Sequence, residues 1–309
     1  MKKYVFGLFL ILMISGCTGM PDIFKGIIPG TGENVNKTEL SADLIVIQNL
    51  NVIPNPPINA GDQFSVSFEI KNQDEINDVN TSYSLFDTGL CKKTEGEESK
   101  SLGILAPLQT EFIQWSFNAP RNDEIAYLPT KCPIRFKANY TFEARSQIDV
   151  NIISKDRLSQ LQKTGNQPTF TPSLTIGRGP VKIYLSFGAQ LPARNESALP
   201  IFITVEDKGN GLLKEIPNNS LKLKVPYDFN FSDCPKFSLE KNESGYNIYQ
   251  NNVVIPIIKK KTSQIRCSFT TPNSTAINNL EKTYFITASL NYDYEIVGET
   301  SVDIKPTAQ

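Results

Sequence analysis

The sequence predicts an all-β protein: two tandem antiparallel β-sandwich domains joined by a short helical linker. Three observations carry that prediction. Apolar and polar residues alternate over long stretches, the period of a strand with one buried and one wet face. The alternating unit occurs twice in the 309 residues. Apolar residues almost never recur at the three-and-four spacing of an amphipathic helix.

The repeat is visible in two places. Ile113, Gln114, Trp115, Ser116, Phe117, Asn118, Ala119 and Pro120 are echoed by Ile265, Arg266, Cys267, Ser268, Phe269, Thr270, Thr271 and Pro272, a shift of 152 residues (113 to 265). Ile134, Phe136, Ala138, Tyr140 and Phe142 alternate as Tyr284, Ile286, Ala288, Leu290 and Tyr292 do, a shift of 150 (134 to 284). A period this long means tandem units rather than a solenoid. Between the apolar positions stand Arg135, Lys137, Asn139, Thr141, Glu143 and Arg145 in the first copy. Thr287, Ser289, Asn291, Asp293 and Glu295 stand there in the second, so one face of each strand is expected to be wet.

The elements follow in chain order. Lys2 and Lys3 precede an apolar run from Tyr4 to Ile14, the layout of a secretory signal over residues 1–16, too short to span a bilayer comfortably. Residues 17–41, with Gly26, Pro29, Gly30 and Gly32, read as a flexible tether of about 24 residues reaching roughly 25 to 30 Å. Residues 42–153 form the first sandwich. Ser154 stands before Leu158 and Leu161 as a helix cap, so 154–173 reads as a linker with a short helix. Residues 174–309 form the second sandwich.

Ile14, Ser15, Gly16 and Cys17 resemble the lipobox of prokaryotic lipoproteins. The resemblance implies a lipidated Cys17 and a partner in membrane lipid, and two acyl chains hold a protein on a surface durably. Pro54, Asn55, Pro56, Pro57, Ala60, Gly61 and Asp62, leading into an alternating strand that ends at Asn72, resemble the opening of immunoglobulin-like, cell-adhesion-related modules of bacterial and archaeal surface proteins. Antibody domains fit worse, because no tyrosine stands two residues before Cys132 and Trp115 follows Cys91 by 24 residues (91 to 115).

With Cys17 committed to the anchor, four of the five cysteines remain, and an exported chain favours pairing them. Three pairings are possible. The repeat favours Cys91 with Cys132 and Cys234 with Cys267, one bridge in each unit.

Composition narrows the chemistry. The formal charge is −1 and no histidine occurs, which removes imidazole triads, histidine metal sites and a nucleic-acid footprint. Lys259, Lys260 and Lys261, the one basic run, read as a turn. Glu206 to Gly211 could form a calcium loop, but its spacing fits no EF-hand and a turn ending a strand reads better. Asp293 and Glu295 share a wet strand face, and a solvated strand edge explains them better than a catalytic carboxylate pair does. Sequons begin at Asn36, Asn80, Asn139, Asn195, Asn218, Asn230, Asn242 and Asn273, with Asn139, Asn80, Asn195 and Asn273 the glycosylation candidates.

The function expected is a membrane-anchored extracytoplasmic lipoprotein: a non-catalytic binding, adhesion or scaffolding module, with no cofactor, no metal and no nucleic-acid partner. Its partner would be an envelope protein or a glycan, met at the junction of the two sandwiches, with Arg178, Lys182 and Tyr184 as candidate contacts. The alternative is a surface enzyme or accessory subunit acting on glycans or peptides through an unrecognised carboxylate pair.

Overall fold

The computed structural model describes residues 36–39, 43–278 and 280–307. Cys17 and the signal segment lie outside the described residues. Within the stretch expected to be tether, Asn36–Glu39 is a strand, paired in parallel with Ser173–Ile176. The protein is all-β. Among the described residues the one α-helix, Lys155–Lys163, begins where Ser154 accepts the Arg157 amide at 3.1 Å, so the cap legible in the sequence is the cap that starts it.

Two long strands organise everything else. Thr130–Ile153 and Glu281–Lys305, 24 and 25 residues, pair antiparallel in one unbroken register from Ile153 opposite Glu281 to Thr130 opposite Ile304. Such a ribbon is about 80 Å long at the rise of an antiparallel strand. Phe142 pairs with Tyr292, and these two residues are also equivalents in the 150-residue repeat (142 + 150 = 292). The ribbon is therefore centred on the repeat's own pseudo-twofold axis. On the near side of that axis each long strand pairs within its own half: Thr130–Ile153 with Val79–Asp87, and Glu281–Lys305 with Leu221–Pro226. Past the axis each pairs in the other half, Ile148 with Leu174 and Ile304 with Ile58. The two repeats exchange strand ends.

The result is one 11-stranded sheet common to both halves, together with a four-stranded sheet from each half and one two-stranded sheet. The first small sheet runs, in spatial order, through Ile45–Ile53, Gln63–Asn72, Thr110–Asn118 and Lys92–Glu95. The second runs through Val181–Phe187, Ala198–Asp207, Ile265–Thr270 and Asn230–Asp233. Along the first ribbon strand the even-numbered side chains are buried from Cys132 to Ile152, with only Phe142 half-buried, so both small sheets cover the same face of the large one. Residues 42–153 and 174–309 thus contribute one small sheet each and share the large sheet.

Each half builds its core differently at equivalent positions. In the first, Phe68 stacks on Phe136 with centroids 3.9 Å apart, and Trp115 packs against both while its indole N–H donates to the Glu97 carbonyl at 2.7 Å. Burying each such ring contributes about 2 to 3 kcal/mol. In the second half Cys267 takes the place of Trp115 and is bonded to Cys234. Cys91 is bonded to Cys132, tying a loop to the start of the ribbon. Two disulfides mark a chain that folds in an oxidising compartment outside the cytoplasm.

The Cys91–Cys132 bridge spans a sequence separation of 41, for which chain entropy predicts about 3 to 4 kcal/mol of stabilisation. The double variant Cys91→Ala/Cys132→Ala should be less stable by about that amount and melt at lower temperature, still in a single calorimetric transition, because the ribbon ties both cores together. Two resolved transitions would show that the halves unfold independently.

Candidate functional site

The face of the large sheet left open by the small sheets carries the odd-numbered residues of the ribbon, the set the alternation marks as wet. Its charges are paired, some across strands and some within one. Arg135 bonds Asp87 at 3.1 Å and Glu299 at 3.3 Å; Lys137 and Lys214 bond Glu295 at 3.0 and 3.3 Å; Arg145 bonds Glu143. Arg135 stands directly opposite both its partners and Lys137 is diagonal to Glu295, arrangements that stabilise a sheet modestly. Burial works against the Glu295 carboxylate, yet the two ammonium groups hold it below the usual carboxylate range. A carboxyl acting as general acid needs the opposite shift. Asp293, the other member of that pair, accepts the Thr141 hydroxyl at 2.9 Å.

Small residues on one strand between long residues on its neighbours make a groove. On the second ribbon strand Thr287 and Ser289 stand opposite Gln147 and Arg145 on one side, and opposite Lys224 and Lys222 on the other. A cavity of about 530 Å³ lies over them, closed at one end by Phe285 and walled by Tyr246, Ile248 and Glu243. Phe285 is 47% exposed, an uncommon setting for a ring on an inner strand. Lys222 bonds Glu240 at 2.9 Å, Lys224 bonds Glu243 at 3.3 Å, and the Lys224 ammonium also lies 4.8 Å from the Tyr246 ring centre. Sequence reasoning missed this site. Its one signal was Phe285 itself, an apolar residue on the wet phase of the alternation.

A second cavity of about 640 Å³ shares Glu143 and Arg145 with the first. It occupies a gap on the edge of the first ribbon strand, where Val79–Asp87 stops pairing at Thr141 and Ser173–Ile176 begins at Ser146. Phe142, Asn291, Gly177 and Arg178 line it, near the pseudo-twofold centre where the two halves meet. The candidate contacts fare differently within it. Arg178 donates to the fully buried Asp74 carboxylate at 3.2 Å, an ion pair between the two halves. Lys182 is 1% exposed, with its ammonium on the Gly177 carbonyl at 3.0 Å. Tyr184, half-buried opposite Thr204, does not line this cavity.

The residues 206–211 form a turn. Asp207, 3% exposed, accepts the Tyr294 hydroxyl at 2.7 Å and the amides of Gly209 and Leu213. Burial and that hydrogen bond push the Tyr294 phenol up, so it stays a donor. Gly209 is required by close approach: a Cβ there would sit 2.5 Å from the Tyr294 oxygen. Lys259 and Lys260 adopt positive φ in a tight turn, and Lys260 donates to the Gly209 carbonyl at 2.6 Å. Two sequons meet in register, Asn80 opposite Thr141 and Asn139 opposite Ser82. Asn139 is half-buried and Asn80 exposed. Asn195 is half-buried and accepts the Lys155 amide at 3.0 Å; Asn273 is exposed and accepts the Ala276 amide at 3.0 Å.

No protein-family model matches the chain, and no curated protein matches it. Among solved structures it is similar to a chitinase from Bacillus thuringiensis at 14% identity, over 74% of this chain and 26% of that one, with a TM-score of 0.21. It is also similar to the secreted serine protease VesC from Vibrio cholerae at 8% identity, over 81% of this chain and 49% of that one, with a TM-score of 0.20. The matched part is less than half of either protein's length, and likeness at these TM-scores carries no functional weight.

The Asp74–Arg178 pair generates a pH prediction. Burial disfavours the Asp74 charge, but the Asn77 side chain, the Ile76 and Asn77 amides and Arg178 outweigh it and lower its pKa. A lowered carboxylate contributes fully above its unfolded pKa of about 3.9, and that contribution is lost as pH falls through the folded value. Asp74→Asn should therefore be less stable than wild type by about 2 to 3 kcal/mol at pH 7. Urea titrations should show the gap closing toward pH 2; a gap independent of pH would contradict the account. Arg178→Ala should also lower stability.

Proposed function

We propose that this protein is a lipid-anchored, extracytoplasmic module of the cell envelope that binds or scaffolds a partner without chemistry of its own. Its two fused sandwiches act as an immunoglobulin-like platform. The observation that carries this reading is the open face of the shared sheet: concave in two adjoining places, backed by a continuous ribbon, and with its charges already paired. A surface of that kind offers rigid, preorganised contacts. The disulfides support the location, and the residues around Cys17 support the anchor. No helix among the described residues is long and apolar enough to cross a membrane.

Wild type should enter the detergent phase of a phase-separation extraction and Cys17→Ser the aqueous phase. A processed wild-type chain in the aqueous phase would remove the anchor. The Cys17→Ser chain should also sediment with isolated envelope fragments, and Asn291→Arg in the second cavity, opposite Glu143, should weaken that binding about tenfold, roughly 1.4 kcal/mol. Gln162→Ala on the exposed helix should leave it unchanged. Equal binding by all three would move the contact surface elsewhere.

A further inference from the structure

We infer that the groove over Thr287 and Ser289 is a binding site for a neutral oligosaccharide. The inference rests on the open face being the contact surface and names the ligand class of that surface.

The lining of the groove selects the ligand. The floor is two hydroxyls, Thr287 and Ser289, each able to donate and accept a hydrogen bond. Each cation of the walls has a carboxylate beside it: Arg145 bonds Glu143, Lys222 bonds Glu240, and Lys224 bonds Glu243, which Lys241 shares at 3.4 Å. Such pairs present donors and acceptors side by side, which is what a sugar's neighbouring hydroxyls require. A polyanion would meet a carboxylate beside every cation, so it gains little here. An apolar partner would bury the hydroxyl floor without hydrogen bonds, which is unfavourable.

An extended peptide is the remaining competitor. Peptides that join sheets do so by backbone pairing at an unpaired edge. Residues 287–290 are paired on both sides, with Ser146, Gln147 and their neighbours on one flank and Leu221–Lys224 on the other. No edge is available in the groove. What it does offer is the Phe285 ring at its end, half exposed and held by the sheet, with Tyr246 on the wall. A flat apolar ring suits the C–H face of a pyranose, whose hydroxyls then point to the floor and walls. Concave sites that combine an aromatic surface with a few fixed polar groups are the usual form of a small-ligand site. From Phe285 to Ser289 the strand rises roughly 14 Å, more than the length of a single sugar.

The test uses the full chain carrying Cys17→Ser, titrated by calorimetry and affinity electrophoresis. The probes are neutral hexose and N-acetylhexosamine oligomers, a uronic-acid oligomer and an acidic peptide. At least one neutral oligomer should bind. Phe285→Ala should weaken it about tenfold, and Thr287→Arg, which fills the floor, should abolish it, with melting temperatures unchanged. Because Thr287→Arg could disturb the strand, Gln147→Ala, on the groove wall opposite Thr287, serves as a second variant and should weaken binding severalfold. Binding only of the uronic oligomer or the peptide, or neutral binding indifferent to all three substitutions, would overturn the inference. If no neutral oligomer binds while Asn291→Arg still weakens envelope binding, the ligand class fails and the contact surface stands.

Discussion

The pairing of Thr130–Ile153 with Glu281–Lys305 is the constraint on which the rest of the molecule depends. Antiparallel strands have a side-chain period of two, so a slip of one residue anywhere along the ribbon would turn both cores outward at once. Its register is pinned at several points by sterics. Gly298 stands opposite Phe136, where a Cβ would lie 2.4 Å from the ring, so only glycine lets Phe136 reach Phe68 and Trp115 beneath. Gly211 likewise passes over Glu295, and a Cβ there would meet the Glu295 carbonyl at 2.3 Å. The charged pairs Arg135–Glu299 and Lys137–Glu295 reinforce the same register from the wet side.

Exchange of strand ends also explains how two copies of one unit come to differ. Once each copy supplies part of the other's sheet, the cores are coupled and need not be identical. The first keeps a large aromatic cluster around Trp115, and its disulfide sits outside that cluster, anchoring Cys91 to the ribbon. The second places its disulfide at the core position itself, with Phe231 stacked on Tyr249 and Phe269 edge-on to both. Tyr140, Tyr292 and Tyr294 fill the region between the two cores, their rings within 6.1 Å of one another in successive pairs. Among the described residues the Tyr140 hydroxyl has no hydrogen-bond partner, and burial pushes its phenol up, so the ring remains a neutral wedge.

Much of this was legible in the sequence because alternation reports directly which face of a strand is buried. Ala144, Ser146, Ile148, Val150 and Ile152 continue the pattern of Ile134 to Tyr140 without a break, and all are buried. What alternation does not encode is the partner. The same residues would read identically whether the strand ended its own sandwich or crossed into the next, so the exchange became visible only through pairing. Ser154 announced its helix because capping is a local interaction. Arg178 was read from the sequence as a surface contact because its acceptor, Asp74, lies 104 residues away. The groove was illegible for a related reason: its walls come from segments around 145, 222 and 246 that only the sheet brings side by side.

The position of that groove follows from the topology. Both small sheets cover one face of the large sheet, which leaves the opposite face open along the whole ribbon, and a flat open sheet is a liability unless its side chains are hydrophilic and fixed. Paired charges meet that need over most of the face. Where they part, over Thr287 and Ser289, they leave a trough with a ring at its end. An isolated phenylalanine there adds nothing to either core, since the small sheets pack on the other side. The ring is held in place by a ribbon whose register two cores enforce, and its exposure gives the open face an apolar contact point that the surrounding charges do not supply.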